Sequence, residues 1–347
     1  MNLQVEYMGL KLKSPVVVSA SPLSEKVENI IQMEKAGAGA VVMFSLFEEQ
    51  IRSEEAMYEE ILEQSTFNSP EALSYFPNVS EYKVGIDEYL RIIEEASKQV
   101  EIPIIGSLNG ITNSGWIDYA KHIEAAGARG LEINIFYIPT SLDLDGKTIE
   151  ENYLEIIKMV KKSVTIPVAI KLNPYFSSMA NMAKKLDAAG ADALVLFNRF
   201  YEPDFDIENM TISHALQLSG PGEIRLPLQW LAILYDRINA SLAATTGVSG
   251  SKEVIKYILA GADCTMTASA LLKHGIPFIT HMLDEVEAWM KARKFENISQ
   301  WQGKMSQKNV EDPSLFERAN YIKLLKGYRI PSIDARLKDS IPRHFEF

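Results

Sequence analysis

A lysine interrupts an apolar segment that otherwise has the composition of a buried strand. The segment is VAIKLNPYF at 168–176, which puts Lys171 near the carboxyl end of the strand. Burying an unpaired ammonium group is costly, so Lys171 needs an anionic or polar partner. One interpretation is a purely structural salt bridge to Glu132. The other, which we favour, is a cation that binds an electron-rich heterocycle or stabilises negative charge.

Asparagines lie at the ends of other apolar segments. Asn109, Asn134 and Asn198 each lie late in such a segment or end it, and Asn173 follows Lys171. Amide groups both donate and accept hydrogen bonds, which suits a flat ring that carries imide and carbonyl groups. A single asparagine at a strand end is more commonly a turn or cap residue. Four asparagines at the same ends of neighbouring strands instead favour a ligand site.

Small polar residues precede two helical patterns in the last third of the chain. The first set is TTG at 245–247 with SGS at 249–251, and the second is Ala268-Ser269. Small residues let backbone N–H groups approach a phosphate, and hydroxyl groups add donors. The same residue types are also common helix caps. We expect a phosphate site here, in the last two strand-to-helix loops.

The elements that must position these residues follow from a repeated pattern. Four segments combine the end of an amphipathic stretch, a Gly-Ala turn and a short apolar run, and they begin at Lys35, Ala125, Ala188 and Leu259. Glycine ends a helix at little cost in the left-handed conformation, and alanines let a helix and a sheet approach closely. The recurrence predicts repeated βα units.

The pattern predicts eight strands that alternate with eight helices. Most of the strands are continuously apolar, as a parallel sheet covered on both faces requires. The fold class is therefore α/β, a closed (βα)8 TIM barrel. The alternative is an open doubly wound sheet, but the first strand is not followed by G-x-G-x-x-G. The predicted strands lie at 15–20, 38–44, 103–108, 130–136, 167–172, 192–197, 241–245 and 263–267, and the helices near 24–36, 87–99, 115–126, 148–163, 177–189, 228–238, 251–260 and 277–293.

Two connections, 45–86 and 198–226, are too long to be simple turns. Both follow predicted strands, so a barrel would place both at its C-terminal rim, where sites are built. We expect them to cover the site, with surface decoration as the alternative. The barrel is expected over 1–305, and 306–347 is expected to be a C-terminal extension rather than an independent domain.

The composition of the chain argues against several classes of function. The chain has 347 residues, a net charge of −11 and a single cysteine, Cys264. The acidic balance argues against nucleic-acid binding, and one cysteine excludes an internal disulfide and an all-cysteine metal site. The five histidines have no metal-ligand spacing, and only His214 lies near the expected mouth, so no metal is expected. Because we find no signal peptide and no apolar run of about 18 residues, we expect a soluble cytoplasmic protein.

The motifs, in their order and spacing, resemble the dihydroorotate dehydrogenase family, class 1 flavoprotein branch, over residues 1–305. They are PVVVSAS at 15–21, SLNG at 107–110 followed by Trp116, LEIN at 131–134, IKLNPY at 170–175, AGAD at 260–263 followed by Ala268-Ser269, and ISQWQG at 298–303. The resemblance implies an FMN-dependent dehydrogenase that oxidises dihydroorotate to orotate in pyrimidine biosynthesis, or acts on a related cyclic amide or enone. It also implies a homodimer.

The same resemblance assigns roles to individual residues. The FMN phosphate is expected near Gly247, Ala268 and Ser269. The substrate is expected near Asn134 and Asn198, and Lys171 and Tyr137 are the candidate catalytic residues. The residues expected at the flavin ring are Ala20, Ser21, Asn109, Asn134 and Lys171.

Four positions depart from the family pattern. Tyr137 stands where the class 1 branch has its catalytic cysteine, and Pro139 stands at a substrate asparagine. Phe44 aligns with a second flavin-contacting lysine, and the glycine-rich phosphate turn is reduced to ATTG at 244–247. Tyr137 could replace the base if its pKa were lowered, or its ring could fill space above the flavin, which we favour. A non-catalytic ligand-binding barrel is therefore the alternative function.

Overall fold

Eight parallel strands close into a barrel in the computed structural model, which describes residues 1–47, 85–110, 115–135, 137–199, 202–213, 217–317 and 321. The barrel order is β3-β4-β6-β7-β8-β9-β12-β13, and β13 pairs with β3 to close the ring. The predicted TIM barrel is therefore confirmed. The strands are β1 (Val5–Tyr7), β2 (Leu10–Leu12), β3 (Val16–Val18), β4 (Ala40–Val42), β5 (Leu46–Phe47), β6 (Ile104–Asn109), β7 (Gly130–Asn134), β8 (Val168–Leu172), β9 (Ala193–Leu196), β10 (Asp204–Asp206), β11 (Thr211–Ser213), β12 (Ser241–Ala244) and β13 (Cys264–Thr267).

Helices surround the barrel strands. The helix expected at 228–238 instead begins at Arg225 and ends at Leu234, because a turn that starts at Pro221 leads into it and Asp236 has a φ of +58°. Tyr235 leaves the helical conformation directly after Leu234, with a ψ of 126°, and Asp236 follows in the left-handed conformation, which aspartate adopts more readily than most residues. The helices are α1 (Val27–Lys35), α2 (Ile86–Gln99), α3 (Gly115–Ala125), α4 (Gly146–Ser163), α5 (Met179–Ala189), α6 (Arg225–Leu234), α7 (Ser251–Ala260), α8 (Ser269–His274) and α9 (Phe278–Ala292).

The N-terminal hairpin β1–β2 covers one end of the barrel. Tyr7, Met8 and Leu12 are buried and pack on the apolar residues inside the barrel. The Met8 N–H donates to the Ser241 Oγ at 2.9 Å, at the start of β12. A Cβ added to Gly130 would lie 2.3 Å from the Met8 side chain, so the hairpin also contacts the start of β7. A ligand site therefore belongs at the opposite, C-terminal end.

Strand alternation decides which polar side chains face the interior. Ile133 of β7 packs among the residues between the strands and the helices, so its neighbours Glu132 and Asn134 lie on the interior face. On β8, Ala169 belongs to the interior cluster, and Lys171 lies two residues further on the same face. The two strands are in register, with Asn134 opposite Lys171.

The long connections contain further elements. The first contributes β5, which pairs with β6, and most of the rest of it, 48–84, lies outside the described residues. The second contains the antiparallel hairpin β10–β11. His214, the histidine expected near the mouth, lies outside the described residues. Most of the expected extension, 306–347, also lies outside them, so its separation from the barrel stays a prediction.

Candidate active site

A cavity of about 530 Å³ opens at the C-terminal end of the barrel strands. Its volume is within the range of about 300–1,000 Å³ typical of cofactor and ligand sites. The loops after β3, β9, β12 and β13 contribute to its walls, together with Lys171 of β8 and the second long connection. Seven of the ten residues expected to bind cofactor, bind substrate or act in catalysis line it, namely Ala20, Ser21, Lys171, Asn198, Gly247, Ala268 and Ser269.

Lys171 lies at the bottom of this cavity and is paired with Glu132. The Lys171 Nζ lies 3.5 Å from the Glu132 Oε1, and the exposed fractions of the two side chains are 11% and 1%. The salt bridge considered from the sequence therefore exists. The lysine nevertheless lines the cavity, so the pair does not remove it from the site.

The asparagines divide into two groups. The Asn198 Nδ2 donates to the Asn134 Oδ1 at 2.8 Å, which joins the ends of β7 and β9 beside Lys171. Asn109 is buried opposite Asn134 on β6, and neither of these two lines the cavity directly. Asn173 instead accepts from the Tyr175 N–H at 2.8 Å, which is the turn role considered for a single asparagine.

The turn after β12 has an unusual backbone. Thr246 and Gly247 both have a φ of +74°. A β-branched residue rarely adopts this conformation, and such strain persists where the surroundings enforce it, commonly at functional sites. The Thr246 Oγ1 donates to the Phe197 carbonyl at 2.9 Å, and the Tyr257 hydroxyl donates to the Thr246 carbonyl at 2.7 Å. A Cβ on Gly247 would lie 2.7 Å from the Gly220 carbonyl oxygen, so only glycine fits.

Ser219 is a site residue that the sequence analysis missed. Its hydroxyl accepts from the Gly247 N–H at 3.2 Å and lies 3.0 Å from the Ser269 hydroxyl. The second long connection thus brings a third small polar residue to the expected phosphate loops. The sequence signal was the LSG run at 218–220, which has the same composition as those loops.

The cavity mouth carries charged residues from the second long connection. Arg199 donates to the Glu223 carboxylate at 2.8 Å and also to the Gln217 carbonyl. Glu202 and Asp204 line the same mouth. The described residues that line the cavity include no histidine, cysteine or tyrosine.

Comparison with known proteins decides the family. The family model for dihydroorotate dehydrogenase matches residues 2–290. The chain belongs to this family. The chain is 26% identical over 309 residues to the catalytic subunit of dihydroorotate dehydrogenase B (NAD(+)) from Thermoplasma volcanium, with 85% of this chain and 95% of the relative covered. It is 22% identical over 316 residues to dihydroorotate dehydrogenase A (fumarate) from Lactobacillus helveticus, with 88% and 98% covered. The predicted family and its oxidoreductase class are confirmed.

Phe44, which the sequence analysis aligned with a second flavin-contacting lysine, is partly buried and packs against the core. Its ring makes an edge-to-face contact with Tyr89 at a centroid distance of 4.9 Å. Its backbone N–H donates to the Ser24 hydroxyl at 2.7 Å. Among the described residues, Lys171 and Arg199 are therefore the cations that line the cavity.

Tyr137, which the sequence analysis aligned with the family's cysteine, lies in a different place from Lys171. It borders a second cavity of about 400 Å³ together with Thr148, Ile149 and Asn152 of α4. It also packs against the outer core. The described structure thus puts the two candidate catalytic residues in separate cavities.

In the described part of the chain, no helix is long and apolar enough to cross a membrane.

Proposed function

We propose that this member of the dihydroorotate dehydrogenase family is an FMN-dependent oxidoreductase that removes hydride from dihydroorotate or from a related cyclic amide or enone. The observation that carries the proposal is one cavity in which a buried lysine lies at the bottom and a strained glycine turn, flanked by Ser219 and Ser269, forms part of the wall. When bound, FMN would accept the hydride and supply the redox chemistry.

The residues present fit FMN on two structural grounds. The Gly247 turn leaves no room for a side chain because the Gly220 carbonyl oxygen and Ile224 pack against it, and this packing brings the Ser219 hydroxyl beside the turn, where small polar groups suit a phosphate. In addition, the Ser21 hydroxyl is buried at the cavity wall and has no hydrogen-bond partner among the described residues. A bound ligand would satisfy it, because buried polar groups are normally hydrogen-bonded.

Each part of the cavity would then have a distinct task. The hydroxyls of Ser219 and Ser269, beside the Gly247 turn, would hold the phosphate. Ala20, Ser21 and Lys171 would border the ring, with Lys171 donating to its electron-rich edge. Asn198, held by Asn134, would orient the substrate through its amide group. Asn109 would support Asn134 from the next strand.

The ionisable groups that could remove the substrate proton lie in two places. Tyr137 remains a proposed catalytic residue, but its place beside α4 favours the interpretation in which its ring packs. Lys171 is the ionisable group at the bottom of the cavity, and Glu202 and Asp204 are the carboxylates at its mouth.

FMN titration tests the proposal. Purified protein should carry yellow flavin or quench the fluorescence of added FMN with a saturating, stoichiometric curve. Riboflavin, which lacks the phosphate, should bind more weakly, because it cannot use the Gly247 turn. Protein that neither carries nor binds FMN would refute the proposal.

A non-catalytic ligand-binding barrel is the second candidate. It is favoured by the absence of histidine, cysteine and tyrosine from the described residues that line the cavity, together with the pairing of Lys171. It predicts bound FMN that no dihydropyrimidine reduces.

We also propose the homodimer expected from the sequence. The β10–β11 hairpin exposes Phe205, Ile207, Met210 and Ile212, with 71%, 81%, 91% and 54% of their surface accessible. Large apolar side chains clustered on one short hairpin are typical of an interaction surface. Sedimentation at micromolar concentration should give twice the chain mass, and a monomer alone would contradict the dimer. Cytoplasmic location stays a prediction.

A further inference from the structure

Glu132 is an acidic side chain inside the barrel, with an exposed fraction of 1%. One of its oxygens, Oε1, lies 3.5 Å from the Lys171 Nζ. The other, Oε2, is fully buried and has no hydrogen-bond partner among the described residues. Such a carboxylate is costly to bury, so its presence needs a reason.

Stabilisation of the fold does not by itself explain why Glu132 and Lys171 are buried as a pair. A buried salt bridge stabilises a fold only when its geometry is excellent and its remaining lone pairs are satisfied. Here the separation is long for a charge-assisted hydrogen bond, and one oxygen has no partner. Apolar residues of similar volume would fill the same space at no electrostatic cost.

The surroundings give Glu132 a single counter-charge within the described structure. Tyr7 and Cys264 lie in the same interior layer. Burial, and after it nearby negative charges that include Asp263 and Glu132, raise the pKa of both groups, so both are neutral. Lys171 therefore carries the opposing charge, and the lysine is also the member of the pair that lines the cavity.

We propose that Glu132 is a positioning residue that holds the Lys171 ammonium at the bottom of the cavity and offsets its charge, and thereby sets the reduction potential of the bound flavin. The inference rests on the proposed FMN function and extends it to a residue that does not line the cavity. A bound flavin then meets a nearly neutral ion pair rather than a free cation.

The negative charge of Glu132 decides the direction in which it shifts the flavin reduction potential. Reduction adds negative charge to the flavin, so a nearby carboxylate opposes it and its removal favours it. A unit charge roughly 10 Å from the flavin, at an effective dielectric constant of about 20, changes the ratio of reduced to oxidised flavin by about tenfold. For a two-electron couple, a tenfold change is a shift of about 30 mV. Glu132→Gln should therefore raise the potential by about this amount.

The test compares flavin potentials of the FMN-loaded protein and its variants, measured anaerobically against a reference dye. Glu132→Gln keeps the shape and removes the charge. The matched control is Glu150→Gln, because Glu150 also pairs with a lysine, Lys185, at 3.0 Å, but on the outer helices. The ratio of reduced to oxidised flavin at a fixed potential should rise about tenfold in Glu132→Gln and stay unchanged in Glu150→Gln.

A double variant keeps the proposal testable if Glu132→Gln does not fold. Lys171→Met combined with Glu132→Gln removes both charges, so its reduced-to-oxidised ratio should stay within about threefold of the wild type. A tenfold or larger fall in that ratio would overturn the proposal, as would a Glu132→Gln variant with lower thermal stability but an unchanged potential. Wild-type protein that binds no FMN would instead refute the proposed function itself.

Discussion

Replacing Gly247 with alanine should weaken FMN binding by about ten- to a hundredfold. Gly247 has a φ of +74°, a conformation that costs an L-residue roughly 1–2 kcal/mol. The added Cβ would also lie 2.7 Å from the Gly220 carbonyl oxygen and 2.8 Å from the Ile224 Cγ2. A backbone oxygen cannot move aside alone, so the segment that carries Ser219 must shift.

The magnitude follows from the contacts that this shift disrupts. The Gly247 N–H donates to the Ser219 hydroxyl at 3.2 Å, and that hydroxyl lies 3.0 Å from the Ser269 hydroxyl, so the shift displaces the hydroxyls proposed to bind the phosphate. A hydrogen bond to a charged group contributes about 1.5–3 kcal/mol, which corresponds to roughly ten- to a hundredfold in affinity.

Fluorescence titration with FMN measures this loss, and thermal melting confirms that the variant folds. Gly222→Ala is the matched control, because a Cβ there meets nothing within 4 Å in the same segment of the chain. Gly222→Ala should bind FMN like the wild type. A Gly247→Ala variant with wild-type FMN affinity would refute the phosphate position that we assign.

Three further predictions concern other residues. Lys171→Ala should weaken FMN binding by about ten- to a hundredfold in the same titration, and Lys171→Glu should weaken it more, because the ring would then meet an uncompensated negative charge. Tyr137→Phe should leave the rate of flavin reduction in stopped-flow measurements unchanged, whereas a loss of about two orders of magnitude with FMN retained would identify Tyr137 as the base. Burial raises the pKa of the Asp263 carboxyl from 3.8 to about 6, so the folded protein binds this proton more tightly than the unfolded chain. The resulting stabilisation, about 3 kcal/mol, is complete below about pH 4 and is lost as the pH rises through 6. Urea unfolding between pH 4 and pH 7 should show this fall for the wild type, and Asp263→Asn should flatten it.

The barrel could be predicted from the sequence because each βα unit repeats the same local physics. Glycine and alanine at each helix-to-strand junction leave a strong signal, and Gly37, Gly127, Gly190 and Gly261 all have positive φ values in the structure. The strands of a covered parallel sheet are also continuously apolar. Their bounds therefore came within a few residues of the observed ones.

The site was predicted where its residues end barrel strands and missed where they come from insertions. Lys171 lies near the end of β8 and Asn198 just after the end of β9, so their height in the barrel follows from the fold. Ser219 lies in a long connection, and no local pattern indicates that it returns to Gly247. The position of Tyr137 against α4 depends on the direction of a loop, which residue types alone do not determine.

The N-terminal hairpin, β1–β2, also could not be predicted from the sequence. Its two strands have three residues each, too short for a clear alternation of apolar and polar positions. Its role of covering the barrel depends on the contacts of Tyr7 and Met8 with distant strands.

Anaerobic mixing of the FMN-loaded protein with dihydroorotate tests the central claim most directly. If the cavity is the site of an FMN-dependent dehydrogenase, the visible absorbance of the bound flavin should bleach as orotate forms in equal amount. Weak bleaching with dihydroorotate but full bleaching with another cyclic amide or enone would keep the reaction class and change the substrate. Bound flavin that stays oxidised with all of these compounds, while dithionite still reduces it, would contradict the enzyme and favour the non-catalytic barrel.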